Sequence, residues 1–508
     1  MTFETPGVAS HRASTGVVGL DDVLCGGIPR DRLYLLQGDP GVGKTTLALQ
    51  FLLAGAEAGE RCLYLTLSET KEELAGVAES HGWSLDKLSL FELQIADRLE
   101  SQAENTLFHA SEVELAETMR GLLEEVQRVN PTRVVFDSLS EIRLLSQGAL
   151  RYRREILALK QFFVGRRCTV MLLDDRTSEP GDLQLQSLAH GVISLEQLSP
   201  LYGAERRRLR VLKMRGVRFR GGFHDFALKT GGMTVFPRLI AAEHRGEYIP
   251  GQLRSGVAQI DSLVGGGLAR GTSTLLMGPA GTGKSTVALQ FATAAADAGE
   301  KVAFFAFDEG VATLMTRATG IGLNLKPAVD AGSVEIRQVD PAEMTPGEFS
   351  HAVRKVVEER GAGVVIIDSL NGYMHAMPEE HFLTLQLHEM LSYLGQAGII
   401  TIMVVAQHGV VGTGVESPID LSYLADSVML FRYFENDGRL HKAISMLKRR
   451  VGAHESTIRE LSLSSAGLKV GQPLDHFQGL LSGTPSRAAP LAQAAAEAAA
   501  EAAAEAAE

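Results

Sequence analysis

Sulfur is scarce in this chain of 508 residues, which carries three cysteines, Cys25, Cys62 and Cys168, with no CxxC pair among them. That excludes a zinc ribbon or a disulfide framework, and an odd number of thiols fits a reducing cytosol. Long apolar runs are lacking too. No uninterrupted stretch reaches the roughly 18 residues a membrane helix needs, and the start MTFETPGVASHRASTG has no apolar core behind a basic segment. A soluble, cytoplasmic protein without membrane contact is therefore expected. Positive charge is in deficit, 49 Lys plus Arg against 61 Asp plus Glu for a net charge of -12, which argues against nucleic-acid binding over the whole surface while leaving room for a local basic face. What is present is an ordinary globular composition, 45% hydrophobic and 22% charged, in a chain long enough for several domains.

Self-comparison shows a duplication. Residues 15–69 align without a gap on residues 255–309, with 23 identities in 55 positions. The repeat goes on with altered spacing: RVVFDSLSEI returns as GVVIIDSLNGY, taking Asp137 to Asp368, and LRVLKMRG returns as ISMLKRRV, taking Lys213 to Lys448. This period is too long for a solenoid, so each copy is a domain. Glycine and proline punctuate HRGEYIPGQLR just before the second copy. The expected division is 1–247, 248–483 and a tail of 484–508. Within each copy, short apolar runs (LYLLQ, RCLYLTL, RVVF) alternate with helical periodicity (TTLALQFLLAGAEA). Strands apolar along their whole length imply an α/β fold, a mostly parallel sheet with helices on both faces. Ligands bind such sheets at the carboxyl ends of the strands.

GDPGVGKT (Gly38 to Thr45) and GPAGTGKS (Gly278 to Ser285) both match GxxxxGK[ST], each between a predicted strand and a predicted helix. Gly38, Gly41 and Gly43, like Gly278, Gly281 and Gly283, let backbone N–H groups converge on phosphate oxygens, with Val42, Thr46, Thr282 and Thr286 in the same turns. Lys44 and Lys284 would neutralise phosphate charge. Thr45 and Ser285 offer hydroxyls to Mg²⁺, and Asp137 and Asp368, each ending an apolar strand, would hold it through water. ATP with Mg²⁺ is thus the expected ligand of both copies.

Acids at the end of the next strand bear on the chemistry. A carboxylate there can orient a nucleophile in line with the γ-phosphate; the second copy has Asp308 and Glu309, the first only Ser68 and Glu69. The two domains are therefore expected to differ in rate or chemistry. Glu69 and Glu309 can also be read as helix-start carboxylates. A basic stretch, ERRRLRVLKMRGVRFR from Glu205 to Arg220, has a counterpart in MLKRRVGAH from Met446 to His454. It could track a nucleic-acid backbone, form a solvated edge, or send Lys213, Arg215, Lys448 and Arg450 across a subunit boundary to a neighbour's ATP.

The tandem P-loops, the acids after the second strand, DSL at the metal-binding aspartate and the Lys-x-Arg near the end of each copy resemble the KaiC family of RecA-like circadian-clock ATPases and autokinases. The resemblance spans about Thr15 to Arg487. It implies a homo-oligomer, a double ring of six subunits with ATP at subunit interfaces, a first domain that slowly hydrolyses ATP and can recruit a KaiB-like protein, and a second that phosphorylates a neighbour. The family's first-domain catalytic Glu-Glu pair falls on Ser68 and Glu69, and the second-domain pair on Asp308 and Glu309. The trans-acting Lys and Arg fall on Lys213, Arg215, Lys448 and Arg450. The phosphorylated Ser-Thr pair falls on Ser422 and Tyr423, whose phenolic oxygen lies too far from the backbone for the same in-line position. The Ala/Glu tail does not resemble the family's KaiA-binding tail, so KaiA is not expected as a partner. Two other readings stay open: a RadA-like or helicase-like DNA-dependent ATPase, and an ATP-gated scaffold without kinase activity.

Overall fold

The computed structural model describes residues 11–93, 110–146, 148–176, 184–200, 202–244, 246–375, 383–407, 422–480 and 486–487. The chain divides into two compact units, Met1–Arg238 and Leu239–Glu508. Each is built on a nine-stranded sheet with helices on its faces, so the α/β class read from the apolar runs is what the chain adopts.

In the first unit the strands lie in the order Ser89–Glu92, Cys62–Thr66, Arg133–Asp137, Thr169–Asp174, Leu33–Gln37, Gly191–Leu198, Arg206–Met214, His224–Lys229, Gly232–Phe236. The first six run parallel and the rest form an antiparallel meander. The second unit repeats this order with Val334–Gln338, Val302–Ala306, Val364–Asp368, Ile400–Ala406, Ser273–Gly278, Ser427–Asn436, Arg439–Arg449, Ile458–Ser464 and Gly467–Pro473. The predicted strands and the predicted helix after each P-loop are all present.

The central strands are buried end to end because both faces are covered. Tyr34, Leu36, Tyr64 and Met171 pack on one face with Leu47 and Phe51 of the helix Lys44–Glu57, while Leu33, Leu35, Leu63 and Val134 alternate to the other. Period-2 alternation of this kind splits one run of sequence between two cores. The expected tail beyond residue 487 lies outside the described residues. No helix among the described residues is long and apolar enough to cross a membrane.

Candidate nucleotide sites

Each P-loop joins a buried strand to a helix whose N-cap is a glycine in the left-handed region, Gly43 at φ 108° and Gly283 at φ 104°. A side chain cannot adopt that turn without strain, which is why the motif ends Gly-Lys. A Cβ on Gly41 would meet nothing within 4 Å, so open space lies over the first loop. Lys44 and Lys284 are both buried and turned back on the loop: Lys44 Nζ donates to the Gly38 carbonyl at 2.8 Å, Lys284 Nζ to the Pro279 carbonyl at 2.7 Å. Burial pushes the Lys284 ammonium down to about 8.

The strand ends bring the acids to the loops. Thr45 Oγ1 donates to Asp137 Oδ2 at 3.2 Å, and Tyr64 donates its phenolic proton to the same oxygen. Desolvation raises Asp137 against these hydrogen bonds, and it raises Asp368 against that of Ser285. A hydroxyl beside a desolvated carboxylate at the mouth of a P-loop is the donor set a hydrated Mg²⁺ takes. The residues present fit Mg²⁺ and nucleotide in both units. Two orphan atoms point the same way: Glu69 Oε2 and Gln407 Oε1 are buried without a hydrogen-bond partner.

The two sites then part company. Glu309 is held by Arg317, at 2.5 Å from Nη2 and 3.2 Å from Nε, whereas Val77 occupies the matching place in the first unit. With no arginine beside it, Glu69 is pushed up to about 7 by desolvation and by the charges of Asp137, Glu73 and Asp175, which the charge of Lys44 only partly offsets. Glu69 is not a helix cap: Thr70 caps the helix Lys71–Ser80, and Glu73 completes the capping box. Glu309 likewise precedes the N-cap Gly310. Asp308 accepts a hydrogen bond from Ser369 Oγ, next to Asp368.

One participant escaped the sequence reading. Asp175 follows the strand Thr169–Asp174 and pairs with the P-loop lysine, 2.7 Å from Lys44 Nζ. Burial opposes its ionisation, but Lys44, Ser140 and Ser138 outweigh that and hold Asp175 below the usual carboxylate range. The signal available in the sequence was the ending LLDDR, with two acids, against MVVAQ in the other copy.

Lys213, Arg215, Lys448 and Arg450 lie away from their own P-loops. Lys448 is paired across the sheet with Val428, at the start of a strand that runs parallel to Ser273–Gly278, whose far end leads into the P-loop. Asp426, just before that strand, is bonded by the Ser273 amide, and the five steps from Ser273 to Gly278 span about 17 Å. Lys448 Nζ donates to the carbonyls of Ser422 and Ala425, both at 2.9 Å, and Arg450 to that of Tyr423 at 2.8 Å. The first unit repeats the grip: Lys213 donates to the Gln186 carbonyl and Arg215 to that of Ser187 at 2.9 Å. Much of the basic strand Arg206–Met214 is occupied internally, since Arg208 and Arg210 both pair with Glu196 and both cover the Phe223 ring.

A family model described as "ATPase: KaiC" matches residues 13–240 and 253–475, one match on each unit. The chain belongs to the KaiC ATPase family. Among curated KaiC-family proteins, it is 26% identical over 485 residues to the circadian clock oscillator protein KaiC of Acaryochloris marina, covering 94% of this chain and 91% of that one. It is 25% identical over 492 residues to the circadian clock protein KaiC3 of Synechocystis, covering 96% of both chains. KaiC of Synechococcus elongatus is 25% identical over 490 residues, 94% of this chain and 92% of its own. A KaiC-family ATPase is thus the established reading of the paired P-loops.

Proposed function

We propose that both domains bind ATP with Mg²⁺, that at least the second transfers the γ-phosphoryl group to Ser422 of a neighbouring copy, and that a closed homo-oligomer, a hexamer by family likeness, uses this state as a timing or signalling switch. The observation that carries the transfer step is the position of Ser422. It sits before the strand Ser427–Asn436, at the end of the sheet remote from its own P-loop, with its carbonyl held by Lys448. A chain cannot carry its own γ-phosphate back along the length of that strand to the hydroxyl. A neighbour placed head to tail can, and closed heterologous contacts make rings.

Lys213, Arg215, Lys448 and Arg450 share that remote end, which supports their reading as groups that reach a neighbour's nucleotide. Mg²⁺ would screen phosphate charge and align the transferring group. Lys284 and the loop amides would bind the β- and γ-phosphates, Ser285 and Asp368 would hold the ion, and Asp308 and Glu309 would orient the incoming hydroxyl. Its oxygen bonds to phosphorus, the bond to the β,γ-bridging oxygen breaks with its electron pair leaving on ADP, and the serine proton passes to a carboxylate. Tyr423, more than half exposed, is not a second acceptor in this scheme.

Peptide mass spectrometry after incubation with Mg²⁺ and ATP tests the scheme. Lys284→Ala chains mixed with unmodified, mass-tagged chains are expected to gain phosphate on Ser422, and Lys284→Ala chains alone are not. ATP turnover with Ser422 unmodified throughout would leave an ATPase switched by nucleotide state alone.

A further inference from the structure

Ser138 and Ser369 follow the metal aspartates at equivalent positions, and both are almost fully buried. Each hydrogen-bonds a carboxylate, but from opposite directions. Ser369 donates to Asp308, at the end of the strand Val302–Ala306 on one side. Ser138 bonds to Asp175, at the end of the strand Thr169–Asp174 on the other. The register makes the exchange explicit. One step beyond the Gln37–Asp174 pair, Asp175 takes the place that Ala406 has opposite Gly278. Where Asp308 stands in the second domain, the first has the exposed Ser68.

We infer that the carboxylate missing at Ser68 has been relocated to Asp175, and that Asp175 orients the attacking water for ATP hydrolysis in the first domain. This rests on the reading of that domain as an ATP-hydrolysing site.

Three features support the assignment. Asp175 is bound to the P-loop lysine itself, at 2.7 Å from Nζ, so it stands where the terminal phosphate must come. It is fixed on its other side by Ser140 Oγ at 2.9 Å as well as by Ser138, so it stays in place when Lys44 turns to a phosphate. Its neighbour Asp174 is not equivalent: that carboxylate is tied to Arg143 at 3.1 Å and is buried. An acid that merely braced the strand would not need a second acid beside it already paired with arginine.

With Lys44 drawn to the phosphates, Asp175 is left with hydroxyl donors and a free lone pair. It accepts a hydrogen bond from a water. That water's oxygen bonds to the γ-phosphorus, the bond from phosphorus to the β,γ-bridging oxygen breaks with its electron pair leaving on ADP, and the water proton departs on the released phosphate. A carboxylate on either side of the serine serves this, because phosphoryl transfer asks for position and charge more than for a strong base. The cost is that Asp175 competes with the phosphates for Lys44 in the empty site.

The competition gives the test a readout besides turnover. In full-length chains carrying Lys284→Ala, so that turnover comes from the first domain, Asp175→Asn is expected to bind a fluorescent ATP analogue about 3-fold to 10-fold tighter while phosphate release falls at least tenfold. Adding Ser68→Asp to Asp175→Asn is expected to restore turnover at least threefold by returning the acid to the other side. Asp175→Ala, which copies Ala406, is a second variant with the same expected outcomes. Unchanged turnover in Asp175→Asn would overturn the relocation and leave hydrolysis by the first domain standing. Loss of binding and turnover together in both variants, without rescue by Ser68→Asp, would reduce Asp175 to a structural brace and also overturn it. A Lys284→Ala chain no more active than the Lys44→Ala, Lys284→Ala double variant would remove hydrolysis by the first domain, and this inference with it.

Discussion

The two nucleotide sites share a backbone and differ in where their charges are neutralised. In the second domain Glu309 has Arg317, Lys284 meets the Pro279 carbonyl, and Asp308 is bound by Ser369. In the first, Val77 stands where Glu309 has Arg317 and Glu69 Oε2 has no hydrogen-bond partner, Lys44 is bound by a carboxylate, and the acid beside the buried serine comes from another strand. A P-loop fold fixes where phosphates go because that depends on backbone; it leaves the surrounding charges to side chains on four separate strand ends, which can be exchanged one at a time.

The supporting cores differ in the same way. Arg133, 1% exposed, fills space beside the helix Lys44–Glu57 and donates to Glu60 at 2.9 and 3.0 Å and to the Phe51 carbonyl at 2.7 Å. A Cβ on Gly55 would come within 2.6 Å of it. In the second domain Val364 replaces the arginine and Ala295 replaces the glycine, so the pair changes together.

The comparison is broken or sharpened most strongly at the P-loop lysines. Lys44→Ala and Lys284→Ala should each lower turnover at their own site on the order of 10²–10³-fold, and the two single variants should retain unequal phosphate release. Equal residual rates would mean that the exchanged carboxylates make no kinetic difference.

Next in size is Arg133→Ala, which empties the space of a buried side chain, frees the Phe51 carbonyl and leaves Glu60 to pair with Arg30; it should cost about 3–5 kcal/mol in urea unfolding of the first domain. Val364→Ala, in the matching place, deletes only methyl groups and should cost less, about 1–3 kcal/mol.

Acid should separate the domains as well. His224 is 1% exposed between the Arg220 carbonyl and the Arg238 amide, and burial pushes it down to about 4. An unfolded chain takes a proton there below about pH 6.5 and the folded one does not until about pH 4. Stability contributed by neutral His224 is therefore complete above pH 6.5 and falls by about 3 kcal/mol as pH drops to 4. Arg459, paired with Glu455 at 2.7 Å, holds the matching strand position in the second domain. Thermal unfolding at pH 7 and pH 5 should show the first domain's transition losing more, and His224→Gln should reduce that loss.

The smallest expected effect concerns Glu69. Its carboxylate forms only as pH rises through about 7, so first-site turnover in a Lys284→Ala chain should increase between pH 6 and 8. Val77→Arg, which supplies the cation that Arg317 supplies to Glu309, should move that rise to lower pH by about one unit, a change of about 1.4 kcal/mol. A pH profile unmoved by Val77→Arg would remove Glu69 from the step that limits turnover.

Much of this site could be read from residues alone. A P-loop is a local motif: its glycines, lysine and hydroxyl are neighbours in sequence, and Gly43 at φ 108° needs no distant partner to require glycine. Asp137 and Asp368 were legible because each ends an apolar run, and the duplication doubled every such signal. Asp175 was not, because its meaning depends on sheet order. Thr169–Asp174 pairs with Leu33–Gln37, more than a hundred residues earlier, and only that pairing sets Asp175 against Lys44. Nor does spacing show that Ser422 is remote from its own P-loop; the parallel direction of two strands does.

Sequence by itself determined the repeat, the P-loop motifs, the aspartates that end the apolar strands beside them and the alternation that buries both faces of each sheet, since all of these are written in short stretches with fixed periods. Tertiary structure decided which carboxylate meets which lysine, which glutamate has an arginine, and which end of the sheet carries the serine. Those are matters of strand order and register, and charges act through space rather than along the chain.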